Sequence, residues 1–140
     1  MVEIVISLPR PERHLTPNCV TGSNPESVWK VLLMHMGAKK RARKVAEKAA
    51  GAVVRPVDWQ PLEYVLVWYY WGQKTDADNC LACCKAYLDG CAAAWGGNDR
   101  DWECAGVRRV RDKERRACIE LRFRDTLTQV DYEQEQFCLR

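Results

Sequence analysis

The run Tyr64-Val65-Leu66-Val67-Trp68-Tyr69-Tyr70-Trp71 constrains this chain most. It is mostly aromatic and β-branched and carries no charged side chain, so it reads as a buried strand. A sheet must form around it, and the residues that follow must hang from its end. Those residues are Asp76-Ala77-Asp78-Asn79, and a helical pattern of about four turns begins there and stops at Gly96-Gly97. Two carboxylates therefore sit where a strand gives way to a helix. If the backbone is still extended, residues two apart point the same way, roughly 6.5–7 Å from each other. Two anions so placed repel unless a cation lies between them, and Mg²⁺ favours one or two carboxylates, several waters and a substrate phosphate. Asp and Asn ahead of an apolar run are equally ordinary helix caps.

Read as one helix at about 100° per residue, the segment puts Asp78, Ala82, Lys85 and Asp89 on one face within roughly 60°. Cys80, Cys84, Tyr87, Leu88 and Cys91 fall on the opposite, core-facing side. Lys85 can lean toward the carboxylates, and Asp89 is spaced to pair with it.

A chain of 140 residues reads as a single domain, residues 1–140, able to bury a core without staples. Charged residues make up 29% and hydrophobic ones 47%, which excludes a disordered chain. The net charge of +3 does not by itself indicate a nucleic-acid binder. No basic-then-apolar leader opens the sequence and no apolar run is long enough to span a membrane. The expected location is cytoplasmic, with the eight cysteines reduced. Cys80, Cys83 and Cys84 lack a second ligand pair and a nearby His, so zinc is disfavoured.

Val2, Ile4, Ile6 and Leu8 define a first strand, closed by Pro9-Arg10-Pro11. The loop after it holds Arg10, Arg13 and His14, either a plain surface loop or a basic lip beside a groove. Asn24-Pro25 opens a helix to about Ala50, with Gly37 as a point of interruption and Trp29, Leu32, Leu33 and Met36 as its apolar stripe. Six of the ten residues from Lys39 to Lys48 are basic: Lys39, Lys40, Arg41, Arg43, Lys44 and Lys48. They form either a solvated face or one that neutralises phosphates. Val107 to Arg111 and Ala117 to Phe123 read as a hairpin, which adds Arg108, Arg109, Arg111, Lys113, Arg115 and Arg116. The tail from Asp125 is polar and acidic. The order strand, helix, strand, helix, hairpin predicts an α+β domain: a small mixed sheet of about four strands with two main helices packed on it.

The run Asp76-Ala77-Asp78-Asn79, then Lys85, Leu88-Asp89-Gly90 and Asn98-Asp99, resembles the RusA-type Holliday-junction resolvases of bacteria and their phages. The opening strand to Pro9 and Leu15-Thr16-Pro17-Asn18 is similar to the start of that family. The specific likeness covers about Asp76 to Trp102. It implies a homodimeric, Mg²⁺-dependent endonuclease, with Mn²⁺ as the substitute metal, that cuts four-way DNA junctions. It implies Asp76, Asp78 and Asp99 as metal ligands, with Asp101 the alternative third, and Lys85 as the functional lysine. The family commonly carries that lysine four residues after the second Asp, where this chain has Ala82. Backbone contacts to branched DNA would fall to Arg10, Arg13, Lys39, Lys40, Arg41, Arg43, Lys44, Arg108, Arg109 and Arg111. A non-catalytic nucleic-acid binder with the same fold is the rival reading.

Overall fold

The structure, a computed structural model, describes residues 1–16 and 25–127, of which residues 25–27 are described as backbone alone. The Asn24 cap, Cys19, Cys138, part of the first loop and the acidic tail beyond 127 lie outside the described residues. The elements in order are β1 (Glu3–Pro9), α1 (Pro25–Gly51), β2 (Glu63–Tyr70), α2 (Ala77–Cys83), α3 (Lys85–Trp95), β3 (Glu103–Arg111) and β4 (Cys118–Arg124). Short 3₁₀ turns at Arg13–Leu15 and Asp99–Asp101 precede α1 and β3. The expected α+β architecture is present: four strands in the order β1-β4-β2-β3, mixed in direction, with helices against one face.

Alternation along the strands sets the two faces. Ile4, Ile6 and Leu8 of β1, Leu66 and Trp68 of β2, and Ile119, Leu121 and Phe123 of β4 are all buried in the main core with the helices. Phe123 sits at the centre of an aromatic cluster, edge-on to Trp95 at 4.8 Å and to Trp102 at 5.3 Å between ring centroids. The intervening Val65, Val67 and Tyr69 form a smaller cluster on the other face.

Three expectations need correction. The predicted hairpin does not form, because β3 pairs in parallel with β2 while β4 lies antiparallel between β1 and β2. Side-chain chemistry explains the exchange. The three inward residues of β4 are fully buried and suit a central strand, whereas β3, rich in arginine, suits a sheet edge. The helix expected after Asp76 is two helices, broken at Cys84 (φ −95°, ψ 0°), whose N–H donates to the Leu81 carbonyl. The break lets α2 lie along β3 and α3 lie along α1. Asp78 and Ala82 therefore do not share a helix with Lys85 and Asp89.

The third correction concerns α1, which runs unbroken through Gly37. Its core-facing stripe is Ala38, Ala42, Ala46 and Ala50, not the bulky set around Trp29. Gly90 of α3 explains the choice. A Cβ there would collide with the Arg43 backbone carbonyl and stand 2.8 Å from the Ala46 Cβ. Glycine facing alanines at i, i+4 spacing lets the two helix backbones approach closely. Trp29, Leu33 and Met36 stay 64%, 51% and 64% exposed.

Candidate functional site

The parallel β2–β3 pair fixes where the site residues enter. Pro9 aligns with Cys118 and Tyr70 with Arg111, so the ends of β1, β2 and β3 and the start of β4 share one edge of the sheet. In sheets with parallel strands, ligands are commonly taken up beyond the carboxyl ends. The turn after β2 leaves from this edge and delivers Asp76 and Asp78 at the start of α2, both exposed. Asp76 occupies the N-cap position, but its side chain makes no capping hydrogen bond. The carboxylate is thus not consumed by the ordinary structural role that the sequence left open for it.

Arginines surround this edge. Arg10 donates to the Tyr69 carbonyl at 2.6 Å and lies over the Trp68 ring. Arg109 donates to the carbonyl of Thr75, the residue before Asp76, at 3.3 Å. Arg111 stacks on the half-exposed Trp71 ring at 4.4 Å, and Arg115 donates to the Tyr69 hydroxyl at 3.0 Å. Each guanidinium has five N–H donors, so one backbone contact leaves others for a ligand. The sequence names Trp71 in the aromatic run and Arg115 among the basic residues, but assigns neither to the site, since nothing in it shows that they meet Arg111 and Tyr69. Arg13, Lys44 and Arg108 are exposed. Arg41 forms a bidentate pair with Glu12 at 2.9 and 3.0 Å, which directs it to the 3₁₀ turn.

The chain returns to the sheet at the opposite end of the β2–β3 pair, and Asp99 lies in the turn just before β3. Asn98 holds that turn by accepting from the Arg100 N–H at 3.0 Å. Lys85, the first residue of α3, donates to Asp89 at 2.8 Å and also to Asp99. The Lys85–Asp89 pairing expected from i, i+4 spacing is present. Asp99, its side chain 15% exposed, engages the lysine, whereas Asp101 in the same turn is exposed. Burial works to lower the Lys85 pKa, but hydrogen bonds to Asp89 and Asp99 outweigh it and hold the ammonium above its ordinary value.

Asp76 and Asp78 follow β2 at one end of the β2–β3 pair, and Asp99 precedes β3 at the other. Among the described residues no three Asp, Glu, His or Cys side chains converge as metal ligands. Asp99 has the Lys85 ammonium as its cation instead.

Lys85 also lines a cleft of about 290 Å³ between α1 and α3, together with Lys39, Lys40, Arg43, Ala86 and Asp89. Four cations and one carboxylate thus face one cavity, although Lys39 and Lys85 lie far apart in sequence. The cysteines of the α2–α3 segment point the other way, as the pattern predicted. Cys80, Cys83, Cys84 and Cys91 are buried and unbridged, and burial pushes the Cys80 and Cys91 thiols up to about 12. No helix among the described residues is long and apolar enough to cross a membrane. No family model, no curated protein and no solved structure matches the chain.

Proposed function

We propose that this chain takes up branched DNA by its phosphate backbone and hydrolyses phosphodiester bonds in it, as a Mg²⁺-dependent endonuclease of the Holliday-junction-resolving kind. The observation that carries this reading is the cleft in which Lys39, Lys40, Arg43 and Lys85 converge beside the Asp89–Lys85–Asp99 cluster. Clustered cations suit a backbone ligand, because phosphate contacts give affinity and position without sequence information. The uncapped Asp76 and exposed Asp78 support it, as do the arginines at the same sheet edge. In this scheme Lys85 faces the charge that grows on the phosphate during cleavage.

The partner proposed for the exposed apolar half of α1 is a second copy of the chain. Trp29, Leu32, Leu33 and Met36 lie within two turns of one helix and are unburied. Large apolar side chains grouped on a surface mark an interaction site. A two-fold dimer would also present two cleavage sites related as the two nicks across a four-way junction are related.

A binder without catalysis is favoured by one observation: the Lys85–Asp99 pair removes a carboxylate from the expected metal set. One experiment separates the readings. Incubated with a synthetic four-way junction, the nuclease cuts in Mg²⁺ and only binds in EDTA. Asp78→Asn should abolish cutting and leave binding equal or tighter, since it also removes a charge that repels phosphate. A chain that binds the junction and never cuts it, in Mg²⁺ or Mn²⁺, is the binder.

A further inference from the structure

Lys85 is shared between two environments of opposite charge. On one side it is gripped by Asp89 and Asp99. On the other it belongs to the wall of the cleft with Lys39, Lys40 and Arg43. We propose that this cleft is a subsite for one backbone phosphate, and that a phosphate seated there draws Lys85 off Asp99 and frees that carboxylate. The inference rests on the reading of this surface as one that takes up phosphodiesters. It adds a coupling between phosphate capture and the state of Asp99.

The argument is one of competing counter-ions. Without a ligand, Lys39, Lys40 and Arg43 face the cavity with Asp89 as the one anion in its wall, and Lys85 satisfies both Asp89 and Asp99. A phosphate brings a dense anionic charge and several acceptor oxygens to within reach of all four cations. Lys85 is well suited to change partner. It is a point charge on a flexible stem, its side chain is 58% exposed, and it needs no fixed fork geometry. Asp89 lies in the cleft wall itself and is one turn along from Lys85, so the ammonium can turn toward the phosphate without leaving Asp89. Asp99 is the partner outside the cleft wall, and it is the one released. Lys85 is then the resident cation at Asp99 until a phosphate draws it away.

Two measurements on the intact chain test this. In the first, inorganic phosphate is titrated into metal-free protein and followed by NMR. Saturable shifts are expected at the amides of Lys39, Arg43 and Ala86 and, with the same midpoint, at the Asp99 carboxylate carbon. Lys39→Ala with Arg43→Ala should weaken phosphate by roughly tenfold or more, since two exposed cations are removed from the site. In the second, phosphate affinity is compared in the unmodified chain and in Asp99→Asn. The variant should bind phosphate roughly tenfold more tightly, because Lys85 no longer has a second carboxylate to leave. Phosphate shifts that leave Asp99 unmoved overturn the exchange, as does an Asp99→Asn protein with unchanged phosphate affinity. Absence of any response in the cleft overturns the subsite. Neither readout needs DNA cleavage, so success here with an uncut junction refutes the nuclease and leaves the exchange intact.

Discussion

The two halves of α1 do opposite things with the same helical geometry. From Ala38 onward the helix turns four alanines toward α3 and approaches so closely that only glycine fits at position 90. Before Ala38 it carries much larger apolar side chains, and these remain exposed. Side-chain size alone would assign the core to the first half. Burial instead follows what the neighbour can accept: small residues permit a tight backbone crossing, and large ones need a partner that leaves room. The half that packs on α3 therefore builds the cleft, since Lys39, Lys40 and Arg43 ride beside the alanine stripe and are held opposite Lys85. The other half is left to meet a different surface.

Gly90→Ala breaks this contrast most severely. A helix interior ordinarily gains about 0.8–1.0 kcal/mol from this change. Here the added methyl meets the Arg43 carbonyl and the Ala46 Cβ, and backbone cannot move aside as a flexible side chain would. Overpacking of a tight contact costs about 1–3 kcal/mol, and at a backbone collision the upper end applies. A net loss of about 2 kcal/mol is expected, read as a lower urea midpoint at unchanged slope. Increased stability would mean that α1 and α3 do not cross this closely.

The tight crossing was present in the sequence as Ala38, Ala42, Ala46 and Ala50 opposite Gly90, but its signal is weak because alanine is common on every helix face. The strands were far more legible. Burial of alternate residues in β1 and β4 follows the alternation of the sequence, and the aromatic run became β2. Pairing was not legible. Two short strands separated by Asp112-Lys113-Glu114 look local, yet β3 takes its partner from across the α2–α3 connection. The break at Cys84 left no mark either, since no proline or glycine announces it. At the site, sequence spacing was enough for Lys85 with Asp89. The meeting of Lys85 with Asp99 and with the basic face of α1 depends on tertiary packing alone.

The exposed half of α1 sharpens the comparison with a smaller effect on the chain itself. Trp29→Ser together with Leu33→Ser should change unfolding free energy by no more than about 0.5 kcal/mol per site, because neither side chain is buried. Self-association should respond quite differently. Truncating a central tryptophan in an interface costs about 2 kcal/mol or more, so the dimer dissociation constant should rise well over tenfold in sedimentation equilibrium. A variant that stays as associated as the unmodified chain places the interface elsewhere. A large fall in stability instead would show that this half is packed after all.

The smallest expected effect lies at the junction between the two halves, where Arg41 clasps Glu12 and ties the 3₁₀ turn to α1. Both side chains are largely exposed, and an exposed pair is worth little. The bidentate hydrogen bond from Arg41 is the main reason that the Glu12 carboxyl titrates below its usual value of 4.5, with burial opposing it. A group with a depressed folded pKa stabilises the fold above its unfolded pKa, and that contribution is lost as pH falls through the folded value. Glu12→Gln should thus lower the melting temperature barely, and only where the carboxylate is charged. At neutral pH the variant melts slightly earlier than the unmodified chain. As pH falls from about 5 through the depressed pKa, the two melting curves should converge. A difference of the same size at pH 2 and pH 7 would mean that Glu12 acts through packing, and that this charge pair does not tie the 3₁₀ turn to α1.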